Sequence, residues 1–364
     1  MSPTGRPEGE SDPKRVSAEG SPPSPTGRPE GESDPKRVSA EGSPPSPTGR
    51  PEWESVPARV GADGSPSSHD SASPHRCGHV AVVGRPSVGK STLVNRLVGQ
   101  KLAITSSKPQ TTRHRIAGIL TEPGRQFVFV DTPGFQTLHR SRLNDRMNRT
   151  VVDSLAGVDV AVLVVEGARL TQADRNVAAL LPAGLPVVVA VNKVDALADK
   201  KALLPLIAGI AELRPFAAIV PVSAEKGTQV DALKDEIAKL LPEGPAIYGE
   251  DEITDRDERF LAAEFVREKV FRLLGDEVPY STAVCIDRFE QEGSLRRIFA
   301  SIYVEKASQR AILLGAKGER IREIGRKARH DLEALFGGPV YLELWVRVKK
   351  GWADDEAALR RLGL

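Results

Sequence analysis

Residues 79–98 read HVAVVGRPSVGKSTLVNRLV. The apolar run before Gly84 is that of a buried strand, and residues 90–98 carry apolar side chains at helical spacing. Between them lies Gly84-Arg85-Pro86-Ser87-Val88-Gly89-Lys90-Ser91, a match to G-x-x-x-x-G-K-[ST] in the strand–loop–helix context that the motif needs. The glycines let backbone N–H groups curl around phosphate oxygens, and the helix N-terminus adds partial positive charge. Gly84, Arg85, Pro86, Ser87, Val88 and Gly89 are therefore expected to wrap a phosphate chain. Lys90 is expected to reach its β- and γ-phosphates as a point charge, and Ser91 to ligate Mg²⁺ through its hydroxyl.

Working outward, short apolar runs follow at 116–120, 127–130, 158–165, 187–191 and 219–222. Amphipathic stretches at 171–181, 199–213 and 230–241 separate the later ones. Strands alternating with helices predict an α/β fold: a mostly parallel sheet with helices on both faces. The runs at 116–120 and 127–130 are too close for a helical crossover and read as an antiparallel hairpin around Glu122-Pro123-Gly124.

Asn192-Lys193-Val194-Asp195 ends one buried run and Ser223-Ala224 ends the next, at the sheet edge where ligands bind. A carboxylate at Asp195 can accept both N1–H and N2–H₂ of guanine, and adenine would leave it unpaired. A backbone N–H at Ser223-Ala224 can meet guanine O6. The nucleotide is thus expected to be GTP or GDP. Asp131-Thr132-Pro133-Gly134-Phe135 closes the run at 127–130. Asp131 is placed to hold Mg²⁺ through water, and the Gly134 N–H to sense the γ-phosphate. Thr112, with Thr111 as the alternative, can ligate Mg²⁺ only while that phosphate is present, so both loops are expected to order with GTP and relax after hydrolysis.

The chain has 364 residues, which suggests two domains and a tail. Residues 2–23 recur letter for letter at 24–45, and a degraded third copy begins at Ser46. Each unit has one valine and no other large apolar residue, so it cannot bury a face. Residues 1–76 read as a disordered extension. A polar, turn-rich stretch at 242–257 marks a boundary. The expected units are a nucleotide domain at 77–243, a linker at 244–258 and a second domain at 259–364. The latter reads as a helix over 258–274, strands over 281–290 and 295–305, a short helix ending near Leu314, a Gly315-Ala316-Lys317-Gly318 turn, a basic helix over 319–336 and an alternating strand over 340–349.

A formal net charge of +2 points to no particular partner, so any nucleic-acid surface must come from local clustering. Two cysteines in unlike contexts fit a reducing cytosol and exclude a disulfide framework. Cys77 and His79 are too few for a metal site. No run is long and apolar enough to span a bilayer, and no secretory signal is legible.

SSKPQTTRHRIAGI, DTPGF, NKVD, SAEKG, ITDRDERF, the GAKG turn and ELWVRVKKGWADDE together resemble the Era-like bacterial GTPases, over roughly residues 79–364. The resemblance implies GTP hydrolysis, a C-terminal α+β type II KH domain, binding near the 3′ end of 16S ribosomal RNA, and a role in 30S subunit maturation. It also implies a cytoplasmic monomer loosely associated with the inner face of the cell membrane, and RNA contacts just after the last strand. Phe135 stands where Ras-like switches carry a water-orienting glutamine, so slow turnover is expected and no catalytic base is named. Family members usually have Asn at the position of Ser87, where it helps to hold K⁺. The shorter Ser87 puts K⁺ dependence in doubt. In the second domain, Gly315, Ala316, Lys317 and Gly318 are expected to clamp single-stranded RNA with help from Arg320 and Arg322. Ile312, Leu313, Leu314, Ile321 and Ile324 are candidates for shaping a base groove. The alternative is a GTP-regulated RNA-binding module with negligible hydrolysis. A tRNA-modifying GTPase is disfavoured by the Leu-Gly-Leu ending, and a double-G-domain ribosome-assembly GTPase by the single P-loop.

Overall fold

The computed structural model describes residues 75–136, 142–275 and 278–352. The repeat extension, apart from His75 and Arg76, and the C-terminal residues 353–364 lie outside the described residues.

The first layer is a six-stranded sheet of order β2-β3-β1-β4-β5-β6. It is built from β1 (Arg76–Val83), β2 (Ile116–Glu122), β3 (Arg125–Asp131), β4 (Val160–Glu166), β5 (Val187–Asn192) and β6 (Ala218–Pro221). Only β2 runs antiparallel, paired to β3 from Ile116↔Asp131 to Glu122↔Arg125. Gly124 makes the reversal at φ 76°, a conformation that favours glycine. Successive side chains of β1 serve opposite faces. Val80 and Val82 join α1 (Lys90–Val98) and α5 (Val230–Ala238) in one core. Ala81 and Val83 join α2 (Arg142–Leu155), α3 (Gln172–Leu180) and α4 (Leu203–Ala211) in the other. Helices on both faces are what the alternation predicted.

Three readings change. The first strand begins at Arg76, because the Arg76 and Cys77 backbones pair with Arg125 and Gln126 of β3 whatever their side chains. Helix α2 has no counterpart in the reading above, although Leu143, Met147, Val151 and Leu155 recur every fourth residue and are all buried. The stretch expected as a linker is bound along the outer edge of β2. There Ile119 N–H donates to Ile253 O at 2.9 Å and Ala117 N–H to Asp255 Oδ1 at 3.0 Å. The fully buried Gln126 side chain fixes the same stretch through Ile247 N and Tyr248 N, at 2.7 and 3.0 Å.

The remaining elements run α6 (Glu258–Leu273), β7 (Thr282–Glu292), β8 (Leu295–Val304), α7 (Ala307–Leu314), α8 (Glu319–Phe336) and β9 (Val340–Val348). Their sheet has order β7-β8-β9, with β8 and β9 parallel. Asp257 caps α6 by accepting from Phe260 N at 2.8 Å, the use for which a carboxylate is favoured at that position. The middle of helix α6 is covered on nearly every side, so even Glu264, Arg267, Glu268 and Lys269 are buried. One side packs in the core of this second unit with Val284, Ile298, Ile302, Leu313, Ile324 and Leu332. Ile104, from the segment between α1 and β2, is wholly buried in that same core.

Candidate nucleotide site and RNA surface

The P-loop turns on two glycines. Gly84 has φ 159° and Gly89 φ 99°. A Cβ at Gly89 would stand 2.4 Å from Asn192 Nδ2, and one at Gly84 2.5 Å from Val164 O. Ser87 also adopts positive φ, at 64°, and its Oγ donates to Ser107 O at 3.1 Å. Lys90 folds back under the loop, donating to Gly84 O at 3.1 Å and Arg85 O at 3.0 Å. Burial pulls its ammonium down to about 8, against the opposing pull of Asp131. A polyphosphate would restore the lost counter-charge. The Arg85 side chain turns away from this cradle to pair with Glu166 and Asp174, leaving Arg85 only its backbone to offer a phosphate. Asp174 is also the partner of Thr171 in the capping box of α3, so the loop is tied to a helix start on the far side of β4.

Thr112 reaches the P-loop. Its Oγ1 lies 2.8 Å from Ser91 Oγ and 3.4 Å from Asp131 Oδ2, and Ser91 Oγ donates to Asp131 Oδ2 at 2.7 Å. Asp131 is fully buried and its Oδ1 has no hydrogen-bond partner. Burial pushes its carboxyl up to about 6, although Ser91 and Lys90 pull the other way. Two hydroxyls and an unsatisfied buried carboxylate oxygen are the donor set of a hard divalent cation. Thr111 is committed elsewhere, donating to Lys108 O at 2.7 Å, which singles out Thr112. Thr132 is locked by Val82 O at 2.8 Å. Gly134 presses on Pro86, where a Cβ would meet Cα at 2.7 Å. Phe135 N–H donates to Gly84 O at 3.3 Å, while its ring packs on the core of α2, α3 and α4.

Asn192 works as a staple: Nδ2 donates to Val88 O at 2.8 Å, and Oδ1 accepts from Ala224 N at 2.9 Å. Lys193 pairs with Glu166 at 3.0 Å. Arg85 and Lys193 together hold the Glu166 carboxyl below its usual range despite the opposing effect of burial. Asp195 is exposed on a short 3₁₀ turn, Val194–Ala196. The amides of Ser223 and Ala224, the expected contacts to guanine O6, have partners within the protein. Ser223 N–H donates to Thr228 O at 3.1 Å and Ala224 N–H to Asn192. Both amides brace their loop, because a turn this tight must satisfy its own donors.

The GAKG turn lies between α7 and α8 as expected. Gly315, Lys317 and Gly318 take φ 69°, 49° and 74°, and Ala316 and Lys317 are exposed. Arg320 donates to Ile312 O at 3.0 Å, and Arg322 to Gly318 O and Lys317 O at 3.2 and 3.1 Å. Both guanidinium groups therefore stay beside the turn. Below it runs a groove of about 510 Å³ lined by Ile321, Arg322, Gly325, Arg326, Arg329, Leu342, Glu343 and Leu344. Of the apolar candidates only Ile321 lines it; Leu313 and Ile324 are core, and Ile312 is 44% exposed. Leu342 and Leu344 were missed as groove residues, although the alternation of β9 placed them on one face.

The segment joining the P-loop to β2 is also bound to the second unit. Thr105 N–H donates to Glu268 Oε1 at 2.9 Å, and Lys101 pairs with Glu268 at 2.6 Å. Lys108 Nζ donates to Gly275 O at 3.0 Å. Arg113 is buried against residues 279–282, and desolvation pulls its guanidinium down to about 9, helped by Arg267. Burial also keeps His114 neutral at about 4, edge-on to Phe260 at 5.2 Å. Near α2, Leu143 and Met147 pack with Ala283 and the fully buried Trp352. Trp352, in the segment expected to touch RNA, is thus a core residue, with Nε1 donating to Ser281 O at 3.2 Å.

A P-loop with an Asn-Lys-Val-Asp strand end beside it, followed by a glycine turn over a basic groove, defines a P-loop GTPase joined to a KH domain. The comparisons agree. Residues 79–193 match the family described as 50S ribosome-binding GTPase, and residues 277–353 match the KH domain. GTPase Era of Nitrosomonas eutropha is 54% identical over 293 residues, covering 80% of this chain and 99% of that protein. GTPase Era of Xanthomonas axonopodis pv. citri is 55% identical over 292 residues, covering 80% and 98%. A structure of a tyrosine-to-alanine variant of Aquifex aeolicus Era bound to GDP·AlF₄⁻ superposes with a TM-score of 0.76 at 40% identity, covering 79% of this chain and 99% of that one. An Era structure with MgGDPNP and nucleotides 1506–1542 of 16S ribosomal RNA gives 0.77 at 40%, with the same coverages. The chain belongs to the Era family of GTPases.

Proposed function

We propose that this GTPase binds 16S ribosomal RNA near its 3′ end in a manner set by its nucleotide, and so assists maturation of the 30S subunit. The observation that carries the reading is the meeting of Thr112 with Ser91 and Asp131 beside the buried Lys90, in a chain whose second half carries a glycine turn over a groove. The Era relative solved with MgGDPNP and a 16S fragment supports the same pairing of ligands.

The P-loop backbone from Gly84 to Ser91 would hold the phosphates, with Lys90 countering their charge and the Gly134 N–H facing the γ-phosphate. Ser91 and Thr112 would hold Mg²⁺ directly and Asp131 through water. Held there, Mg²⁺ would supply positive charge against the phosphates. Asp195 would read guanine, with Asn192 and Lys193 fixing the loops around it. Phe135 offers no water-orienting group, so turnover is slow. Arg322, Arg326 and Arg329, with Lys317 at the turn, would capture the RNA backbone, while Ile321, Leu342 and Leu344 receive unstacked bases. Ser87 donates its hydroxyl to Ser107 O, a direct link between the P-loop and the switch segment through a side chain shorter than the Asn usual in the family. That favours K⁺-independence.

The setting is a monomer in the cytoplasm that touches the membrane at most peripherally. Among the described residues no helix is long and apolar enough to cross a membrane. Single-turnover hydrolysis with purified protein tests the enzymatic half. Phosphate release above the buffer rate is expected; release at the buffer rate would favour an RNA-binding module with negligible hydrolysis.

A further inference from the structure

We infer that Arg113 is a positioning residue through which the KH half holds Thr112 at the nucleotide site. The inference rests on the proposal that nucleotide state governs RNA binding, and it names the residue that transmits it.

Thr112 and Arg113 are consecutive, yet their side chains serve different halves of the molecule. Thr112 Oγ1 meets Ser91 Oγ at 2.8 Å in the P-loop. The Arg113 guanidinium enters the start of β7, where it donates to Thr282 O at 2.8 Å, Tyr280 O at 3.0 Å and Pro279 O at 3.2 Å. The rings of Phe271 and Trp352 lie 5.6 and 6.0 Å from its central carbon. Arg113 is only 4% exposed and its Nε has no partner. Its hydrogen bonds thus go to a fork of backbone carbonyls, with a cation–π contribution from two rings. Such a socket is selective for the planar guanidinium and for its position. Bonding to neutral carbonyls, with one buried N–H unsatisfied, holds it less firmly than a paired carboxylate would.

Adjacent Cα atoms are about 3.8 Å apart, so a backbone displacement that carries Thr112 away from Ser91 pulls on the seated Arg113. The rest of the segment gives the socket leverage. Ile104 sits in the KH core and Thr105 is bonded to Glu268 of α6, so a shift of α6 and β7 is felt on both sides of Thr112. Linkage makes the effect reciprocal: if GTP seats Arg113, a KH domain rearranged by RNA alters the preference for GTP.

Arg113→Ala and Arg113→Lys in the full chain test this, with thermal unfolding as the folding control. The probes are fluorescent GDPNP and GDP, and a synthetic RNA of the 16S 3′-terminal sequence titrated in the presence of each nucleotide. GDP affinity should stay within about twofold of the parent. The preference for GDPNP over GDP, and the ratio of RNA affinities between the two states, should fall by about fivefold or more, the lower end of ordinary allosteric couplings. If Arg113→Ala does not fold, Arg113→Lys decides, because it keeps the charge but cannot span the carbonyls. Folded variants with both ratios unchanged would make Arg113 a mere interface filler and overturn the inference. If the parent protein shows no nucleotide-dependent RNA affinity, the proposed coupling fails, and the GDPNP-over-GDP preference still judges Arg113 by itself.

Discussion

The molecule uses two glycine turns at helix N-termini, and it builds them in opposite ways. The P-loop before α1 is sunk into the protein. A side chain at Gly89 would collide with Asn192 and one at Gly84 with a backbone carbonyl, and the lysine at its end is 5% exposed. The GAKG turn before α8 is packed at its first glycine, where a Cβ would meet Arg320 Cβ at 2.8 Å, but opens outward from there: Ala316 and Lys317 are exposed, and a Cβ at Gly318 would have nothing nearer than Ile321 Cγ2 at 3.9 Å. A nucleotide is a small ligand that can be enclosed, so the charge that meets it can be desolvated and strengthened. An RNA backbone is a polymer passing through, so its turn must protrude and rely on solvated cations that salt can screen.

Substitution at the buried turn should have the strongest consequence. Gly89→Ala would force a side chain into a left-handed conformation and against Asn192. At about 1–3 kcal/mol for such strain, GTP affinity should fall about 5- to 150-fold, with RNA binding measured without nucleotide unchanged. Calorimetry checks both arms, and undiminished GTP affinity would show that the P-loop is not closed as described. Gly318→Asp meets no neighbouring atom, so apart from the backbone strain of its φ of 74°, which Asp tolerates better than most residues, the change acts by charge. RNA affinity should fall about 10- to 100-fold from like-charge apposition, with GTP binding intact. Equal RNA affinity of the two proteins in a filter-binding assay at fixed salt would remove the turn from the RNA site. The smallest effect concerns Ser87: replacing K⁺ by Na⁺ should leave the hydrolysis rate unchanged, and strong stimulation by K⁺ would show that an ion still bridges where the Ser87–Ser107 hydrogen bond lies.

The nucleotide half was legible because its chemistry is local. Gly84 to Ser91, Asp131 to Gly134 and Asn192 to Asp195 each sit at the end of an apolar run, and the sheet brings those ends together. Backbone traffic was less legible. Nothing in Ser223-Ala224 signals that both N–H groups are consumed within the protein, and nothing in the polar stretch 242–257 signals an edge bound to β2. Arg113 and Ile104 were illegible as interdomain residues, because the partners of Arg113 are carbonyls that any sequence supplies. Helix α2 is different. Its repeat of apolar residues was readable but hidden among polar neighbours.

In the proposed coupling the deep turn governs the exposed one, through a switch segment seated on α6. The most direct test is the affinity of the full chain for the 16S 3′-terminal RNA, measured side by side with GDPNP and with GDP at one salt concentration. A difference between the two states of about fivefold or more, within the range of ordinary allosteric couplings, is the predicted result. Identical affinities would contradict it.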